Sequence, residues 1–291
     1  MRSVILFSIV AVLATSVFLA GAEKKPWKDL TVQVGDIKVH YIEAGGGDRT
    51  VVFVPGWTMT AEVWREQIPY FASRGFRVVA IDPRSHGLTT RTEEGNTYQQ
   101  QAADLNAFIR ALKIRRPILV GWSAGVVVLL EYVSSSEAEP TERLVLVDGG
   151  VLGFKEADYP GGMTMQQARS IVLSFQEDRA KATGQFVLGM FKSRQPQILV
   201  TEITQASMKV PTGTVVSLLM DLFTGDRRPL LPRVRVPTLI VMAENNRLLG
   251  EYLQSKVGGS KLEVIPEAGH AVFLEKPQAF NQVLESFLGE H

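Results

Sequence analysis

The sequence contains no cysteine, which excludes disulfides, thiolate metal sites and a cysteine nucleophile in one step. Histidine is scarce, with four residues, His40, His86, His270 and His291. Charge of one sign is also missing. Lys and Arg number 31 against 30 Asp and Glu, a net charge of +1 with no long like-charge run, so no global field favours nucleic acid or an anionic membrane. There is no phosphate loop, dinucleotide fingerprint, metal-ligand cluster, internal repeat or low-complexity tract. The "GGG" at Gly45 to Gly47 lies in a turn between early strands rather than at a helix start. These absences point to a protein that needs no cofactor or metal and acts on a small, largely apolar partner.

What is present is ample apolar material. Of the 291 residues, 45% are hydrophobic and 21% charged, enough for one large domain or one domain with a sizeable insertion. The first segment stands apart: Arg2 precedes "VILFSIVAVLATSVFLA", followed by the small-x-small pattern Ala20-Gly21-Ala22 and the charged "EKKPW". This has the form of a secretory signal peptide over residues 1–22, cleaved after Ala22. About 17 apolar residues are at the short limit for crossing roughly 30 Å of hydrocarbon, so a retained anchor is the competing account. The expectation is a secreted or periplasmic protein with no stable membrane span after cleavage.

Beyond Trp27 short β-rich runs begin. "TVQVGDIKVHYIEA" reads as two strands joined by a turn, and "TVVFVPG" as a buried strand ending in Pro-Gly. Val63, Trp64, Ile68, Phe71 and Ala72 recur at helical spacing between Thr60 and Arg74, and Gly75 closes that segment before the strand "FRVVAID". The helix "YQQQAADLNAFIRALKI", strand "PILVGW", helix "AGVVVLLEYV" and strand "RLVLVDG" follow; "TLIVMAE", "KLEVIPEAG" and the helix "PQAFNQVLESFL" end the chain. Apolar strands alternating with amphipathic helices predict an α/β fold, a mostly parallel central sheet with helices on both faces. The alternation stops over residues 149–232, which carry helical patterns and scattered Met and Phe but no convincing strand. An insertion of that length should pack on its own as a helical cap, leaving residues 23–148 and 233–291 as the core.

"PILVGWSAGVVVLLEYV" sets Gly121-Trp122-Ser123-Ala124-Gly125 at a strand-to-helix junction, the context that gives G-x-S-x-G meaning. A turn sharp enough to lift the Ser123 hydroxyl above the strand ends would make side chains two residues to either side collide with each other or with the neighbouring strand; glycines at 121 and 125 avoid this. Serine is a weak nucleophile without a positioned base. His40 alternates within an early strand, His86 lies in the "RSHG" turn and His291 is terminal. His270 follows "VIPEAG", where a loop can carry its imidazole over the sheet edge, and the order Ser123 then His270 fits a serine hydrolase on an open parallel sheet.

The chain resembles the α/β-hydrolase superfamily from just after Trp27 to its end. The resemblance rests on "VVFVPGW", "FRVVAIDPRSHGLT", "AADLNAFIRALKI", "ILVGWSAG", "VPTLIVMAE" and "IPEAGHAVFLEKPQAFNQVLESFL", each in the family's order and spacing. It implies a triad of Ser123, His270 and an acid, with an oxyanion hole from the backbone N–H groups of Ala124 and Trp57. Trp57 follows Pro55-Gly56 where many members have His-Gly, and Ser85 stands in "DPRSHG" where the family usually has glycine. Asp82, Arg84 and His86 in that segment read as architectural. The implied activity is cleavage of a small carboxylic ester, as in carboxylesterases. Cleavage of lactones, amides or carbon-carbon bonds and haloperoxidase-like chemistry belong to related branches, and a ligand-binding protein with weak or no turnover is the alternative from another class.

The acid is the open question. In most relatives it follows the strand "TLIVMAE" at the position held here by Asn246, an amide that cannot stabilise imidazolium as a carboxylate does. Two carboxylates could substitute, Asp148 at the end of "RLVLVDGG" and Glu244 two residues before Asn246. Asp148 resembles members of the superfamily whose acid sits on the strand next to the nucleophile's. An aspartate at a strand end could equally do no more than hydrogen-bond turn amides, and a site with no functional acid would leave a crippled enzyme or a binding protein.

Overall fold

The computed structural model describes residues 25–290. The segment read as a signal peptide, residues 1–22, and His291 lie outside the described residues. Eight strands form one sheet in the order β1-β2-β4-β3-β5-β6-β7-β8. They are β1 (Lys28–Val34), β2 (Ile37–Ala44), β3 (Thr50–Val54), β4 (Arg77–Ile81), β5 (Ile118–Trp122), β6 (Arg143–Val147), β7 (Thr238–Ala243) and β8 (Lys261–Ile265). β1 and β2 make a hairpin, and β2 runs antiparallel to β4. All later pairings are parallel, as expected for strands without an alternating pattern that must be covered on both faces.

Helices supply that cover. α1 (Gln67–Ala72), α2 (Tyr98–Ala111), α3 (Ala124–Ser134), α8 (Arg247–Lys256), α9 (Val272–Glu275) and α10 (Pro277–Gly289) belong to the strand-helix alternation. The two faces of β3 show the division. Val52 and Val54 enter an apolar cluster with α2 and α3, while Val51 and Phe53 enter another with α1 and α10. In the second cluster the fully buried Trp64 stacks on Phe273 at 4.1 Å between ring centroids. Truncating an aromatic packed this way typically costs about 3–5 kcal/mol.

Four helices, α4 (Met165–Glu177), α5 (Arg179–Gly189), α6 (Gln197–Met208) and α7 (Thr212–Thr224), stand between β6 and β7. α4 opens with a capping box, in which the Thr164 side chain accepts from the Gln167 amide and the Gln167 side chain accepts from the Thr164 amide. Among the described residues, no helix is long and apolar enough to cross a membrane.

Two local differences from the sequence expectations have physical causes. The helical pattern over Thr60–Arg74 is broken into a 3-10 turn, Ala61–Trp64, and α1. Pro69 has no N–H to give and is tolerated only in a first helical turn, so a helix containing it must start just before it. The stretch after β7, read as a loop with Asn246 where relatives carry the acid, winds into α8.

Candidate active site

The parallel register brings the C-terminal ends of β5 to β8 to one edge. Trp122 pairs with Val147, Val147 with Val241, and Ala243 with Ile265. The next residue after β5 is Ser123, and after β6 it is Asp148.

Ser123 adopts φ 55° and ψ −120°, a sparsely populated region that costs a non-glycine residue about 1–3 kcal/mol and persists only where its surroundings enforce it. Its amide donates to Val147 O at 2.9 Å, and its carbonyl accepts from the Val126 amide at 3.0 Å as α3 begins. The flanking glycines are required by contact. A Cβ on Gly121 would stand 2.6 Å from Gly125 O, and one on Gly125 would stand 2.6 Å from Val54 O of the neighbouring strand.

Asp148 is the second strained residue, at φ 42°. Its amide donates to Val241 O at 2.8 Å. Its side chain is fully buried and its two oxygens are matched to three donors. Oδ1 accepts from the Ala243 amide at 2.8 Å; Oδ2 lies 2.7 Å from His270 Nδ1 and accepts from Asn246 Nδ2 at 2.9 Å. A carboxylate only accepts, so Nδ1 carries the proton and Nε2 is left with its lone pair outward. Glu244 does not reach this cluster. Half of its side chain is exposed and its carboxylate faces Lys192 Nζ at 3.8 Å.

His270 is fixed from three sides. Its carbonyl accepts from Trp122 Nε1 at 2.9 Å. The next amide, Ala271, donates to Met190 O at 2.9 Å, and the preceding one, Gly269, donates to Glu275 Oε2 at 2.7 Å. The ring stays 28% exposed, so it can meet a reactant. Among the described residues no hydrogen bond joins the Ser123 hydroxyl to this ring; such bonds often tighten only when substrate binds.

The loop Gly56-Trp57-Thr58 presses on Ser123, a Cβ on Gly56 being only 3.0 Å from Ser123 Cβ. Among the described residues neither the Trp57 amide nor the Ala124 amide donates to a protein acceptor, which leaves both for an oxyanion. All four helices between β6 and β7 hold this loop. Phe175 and Phe186 set their rings edge-to-face on Trp57, each 4.9 Å away between centroids. The Trp57 indole donates to Val215 O at 3.1 Å and Ser207 Oγ donates to Thr58 Oγ1 at 2.9 Å.

Asp82, Arg84 and His86 serve structure. Asp82 accepts from the Ala61 amide at 2.7 Å and pairs with His40; Arg84 bridges Asp104 and Asp36; His86 bonds Arg84 O. Ser85 takes φ 64°, which accounts for a glycine at this position in relatives, and its hydroxyl offsets the strain by accepting from the Thr92 amide at 3.0 Å.

The model of the Alpha/beta hydrolase family matches residues 51–283. The chain belongs to the α/β-hydrolase family. This hydrolase-family chain is similar to the AB hydrolase superfamily protein YisY of Bacillus subtilis, at 25% identity over 85% of this chain and 94% of that protein. It is similar to a putative non-heme chloroperoxidase of Synechocystis at 27% identity over 87% of this chain and 95% of that one. Among solved structures, an esterase from Exiguobacterium antarcticum superposes with a TM-score of 0.85 at 25% identity, covering 89% of this chain and 99% of that one. The eight-stranded sheet and its helices are those of the family's fold.

Two contributors to this cluster were not anticipated from sequence. Asn246 was read for the charge it lacks rather than the donor it has. Glu275, five residues past His270, stands in a segment to which no local pattern assigns a role.

Proposed function

We propose that the protein is a serine hydrolase that cleaves a small carboxylic ester through an acyl-enzyme, with Ser123, His270 and Asp148 as the triad. The observation that carries this is the 2.7 Å bond between Asp148 and His270 Nδ1 beside a strained serine elbow. Ser123 Oγ attacks the ester carbonyl carbon while His270 Nε2 takes its proton. The resulting oxyanion accepts from the amides of Trp57 and Ala124, each such donor being worth about 10²–10³ in turnover. Collapse breaks the carbon-oxygen bond, and the departing alcohol takes the proton from His270. Water then repeats the sequence to release the acid and restore Ser123. Asp148 holds the productive tautomer and stabilises the imidazolium.

The balanced charge and the scattered Met and Phe residues between β6 and β7 support a small, largely apolar substrate. The esterase among similar solved structures supports ester chemistry, and the Synechocystis relative keeps a haloperoxidase-like activity as the alternative. The ligand-binding alternative rested on Asn246, and that residue donates to Asp148 instead of displacing it. The apolar run at residues 4–20 supports placement outside the cytoplasm, testable by sequencing the N-terminus of the exported protein.

A fluorescent phosphonate tests the function. Labelling is expected in the native protein and absent in Ser123→Ala, together with hydrolysis of short-chain p-nitrophenyl esters. A native protein that resists labelling, or labelling that survives Ser123→Ala, rejects the proposal.

A further inference from the structure

We infer that Asn246 is a positioning residue for the triad acid, its side-chain amide holding the Asp148 carboxylate in register with His270; the inference rests on the serine-hydrolase function above. Asn246 donates to Oδ2, the same oxygen that meets His270 Nδ1. One lone pair of Oδ2 is thereby occupied, leaving the other directed at the imidazole. The opposite oxygen is held by the Ala243 amide. Two of the three donors to Asp148 therefore come from one short segment, Ala243 to Asn246, where β7 passes into a 3-10 turn. That segment forms a cradle for a side chain belonging to a different strand.

The chemistry of the cradle explains why residue 246 is an amide. A carboxylate there would stand at hydrogen-bond distance from Asp148, and two carboxylates in such a site cannot both ionise freely. An apolar residue would leave a lone pair of a fully buried carboxylate unmet, which is costly. Asparagine supplies a donor without charge. Its orientation is fixed by the same logic, because the flipped amide would turn its oxygen toward Oδ2, acceptor against acceptor. The loss of a carboxylate at 246 and the use of one at 148 are two halves of one arrangement.

Asn246→Ala should lower kcat about tenfold or more, the scale of a hydrogen bond to a charged group, with KM changed less than about twofold, since the interaction matters most when imidazolium forms. Asn246→Asp should also lower kcat, because two carboxylates at this distance compete for one proton and Asp148 no longer meets His270 as a full anion. A readout independent of turnover is the downfield proton resonance of the His270 Nδ1–H, assigned by its loss in His270→Gln; Asn246→Ala should shift or broaden it. The exposed neighbour Asn245 provides the control, and Asn245→Ala should match the native protein throughout. A kcat within about twofold of native in Asn246→Ala, or an unmoved resonance, overturns the inference. Ester hydrolysis that persists in Ser123→Ala would reject the serine-hydrolase function instead, and the resonance would still decide whether Asn246 positions the Asp148–His270 pair.

Discussion

Asp148 and Ser123 are both held at positive φ, one strand apart at the same sheet edge. Strain at two adjacent strand ends persists because each amide is tied to the next strand's carbonyl, Ser123 to Val147 and Asp148 to Val241. Asp148→Asn preserves volume but removes the charge and allows an amide donor to face Nδ1, which inverts the histidine tautomer. It should lower ester turnover at least about a hundredfold, a cautious floor below the roughly ten-thousandfold effect of the analogous change in a serine protease. Glu244→Gln should stay within about twofold, since that carboxylate is exposed and faces Lys192. Steady-state kinetics with one chromogenic ester decides both; the reverse ranking would return the acid's role to the loop after β7. Ser123 and His270 were legible in the sequence because each sits in a local pattern, a glycine-flanked elbow or a strand-end loop. Asp148 was favoured over Glu244 only through the resemblance to members with the acid on the neighbouring strand, because it meets its partners 98 and 122 residues away and no local pattern ranks two strand-end carboxylates.

At the scale of elements, the histidine loop and the cap form one hydrogen-bonded unit. Glu275, on α9, accepts from the Gly269 amide at 2.7 Å, the Lys192 amide at 3.0 Å, the Ser193 amide at 2.7 Å and the Ser193 hydroxyl. Burial alone would raise its pKa, but the Ser193 hydroxyl and the amides of Lys192, Gly269 and Ser193 outweigh it and hold the carboxyl below its usual value. Its stabilisation is therefore present above that usual value and lost as pH falls through the lowered one. Glu275→Gln turns an NH₂ toward N–H donors and should loosen both segments at once. Amide exchange at 190–194 and 268–271 should accelerate together, and kcat/KM should fall about tenfold, the scale of a lost charged hydrogen bond; acceleration in only one segment would show that the unit is not shared. The succession of strands and helices along the chain was legible from periodicity, whereas the crossing of β3 and β4 in the sheet order was not. The cap's attachment was not, since it depends on backbone carbonyls and amides that side-chain patterns do not report. α8 also escaped notice, because Gly250 weakens its helical propensity; that glycine lets the helix lie against Met242 and Leu262.

For the whole molecule, stability should depend on pH through two histidines that face Asp82 and shift in opposite directions. Burial alone would lower the pKa of His40, but the hydrogen bond from its Nδ1 to Asp82 at 2.7 Å and the charge of Asp82, with Asp29 adding to it, raise it above 6.5. His86 is fully buried, and desolvation holds its pKa below 6.5 against the opposing pull of the Arg84 carbonyl and Asp82. A raised folded pKa gives stability that is complete below 6.5 and fades as pH climbs through the folded value; a depressed one gives stability that is complete above 6.5 and fades as pH falls through the folded value. The two slopes oppose each other, so Tm should pass through a maximum between them, with Glu275 steepening the loss under strongly acid conditions. A net charge of +1 adds little self-repulsion to displace that peak. Scanning calorimetry between pH 4 and 9, windows set by those unfolded-state values, should show His40→Gln flattening the alkaline side and His86→Gln flattening the acid side. Because Asp82 also holds the Ala61 amide, just past the Gly56-Trp57-Thr58 loop that presses on Ser123, the alkaline loss should be accompanied by slower phosphonate labelling of Ser123 before global unfolding begins. Labelling that stays constant until the cooperative transition would separate the His40–Asp82 pair from the active site.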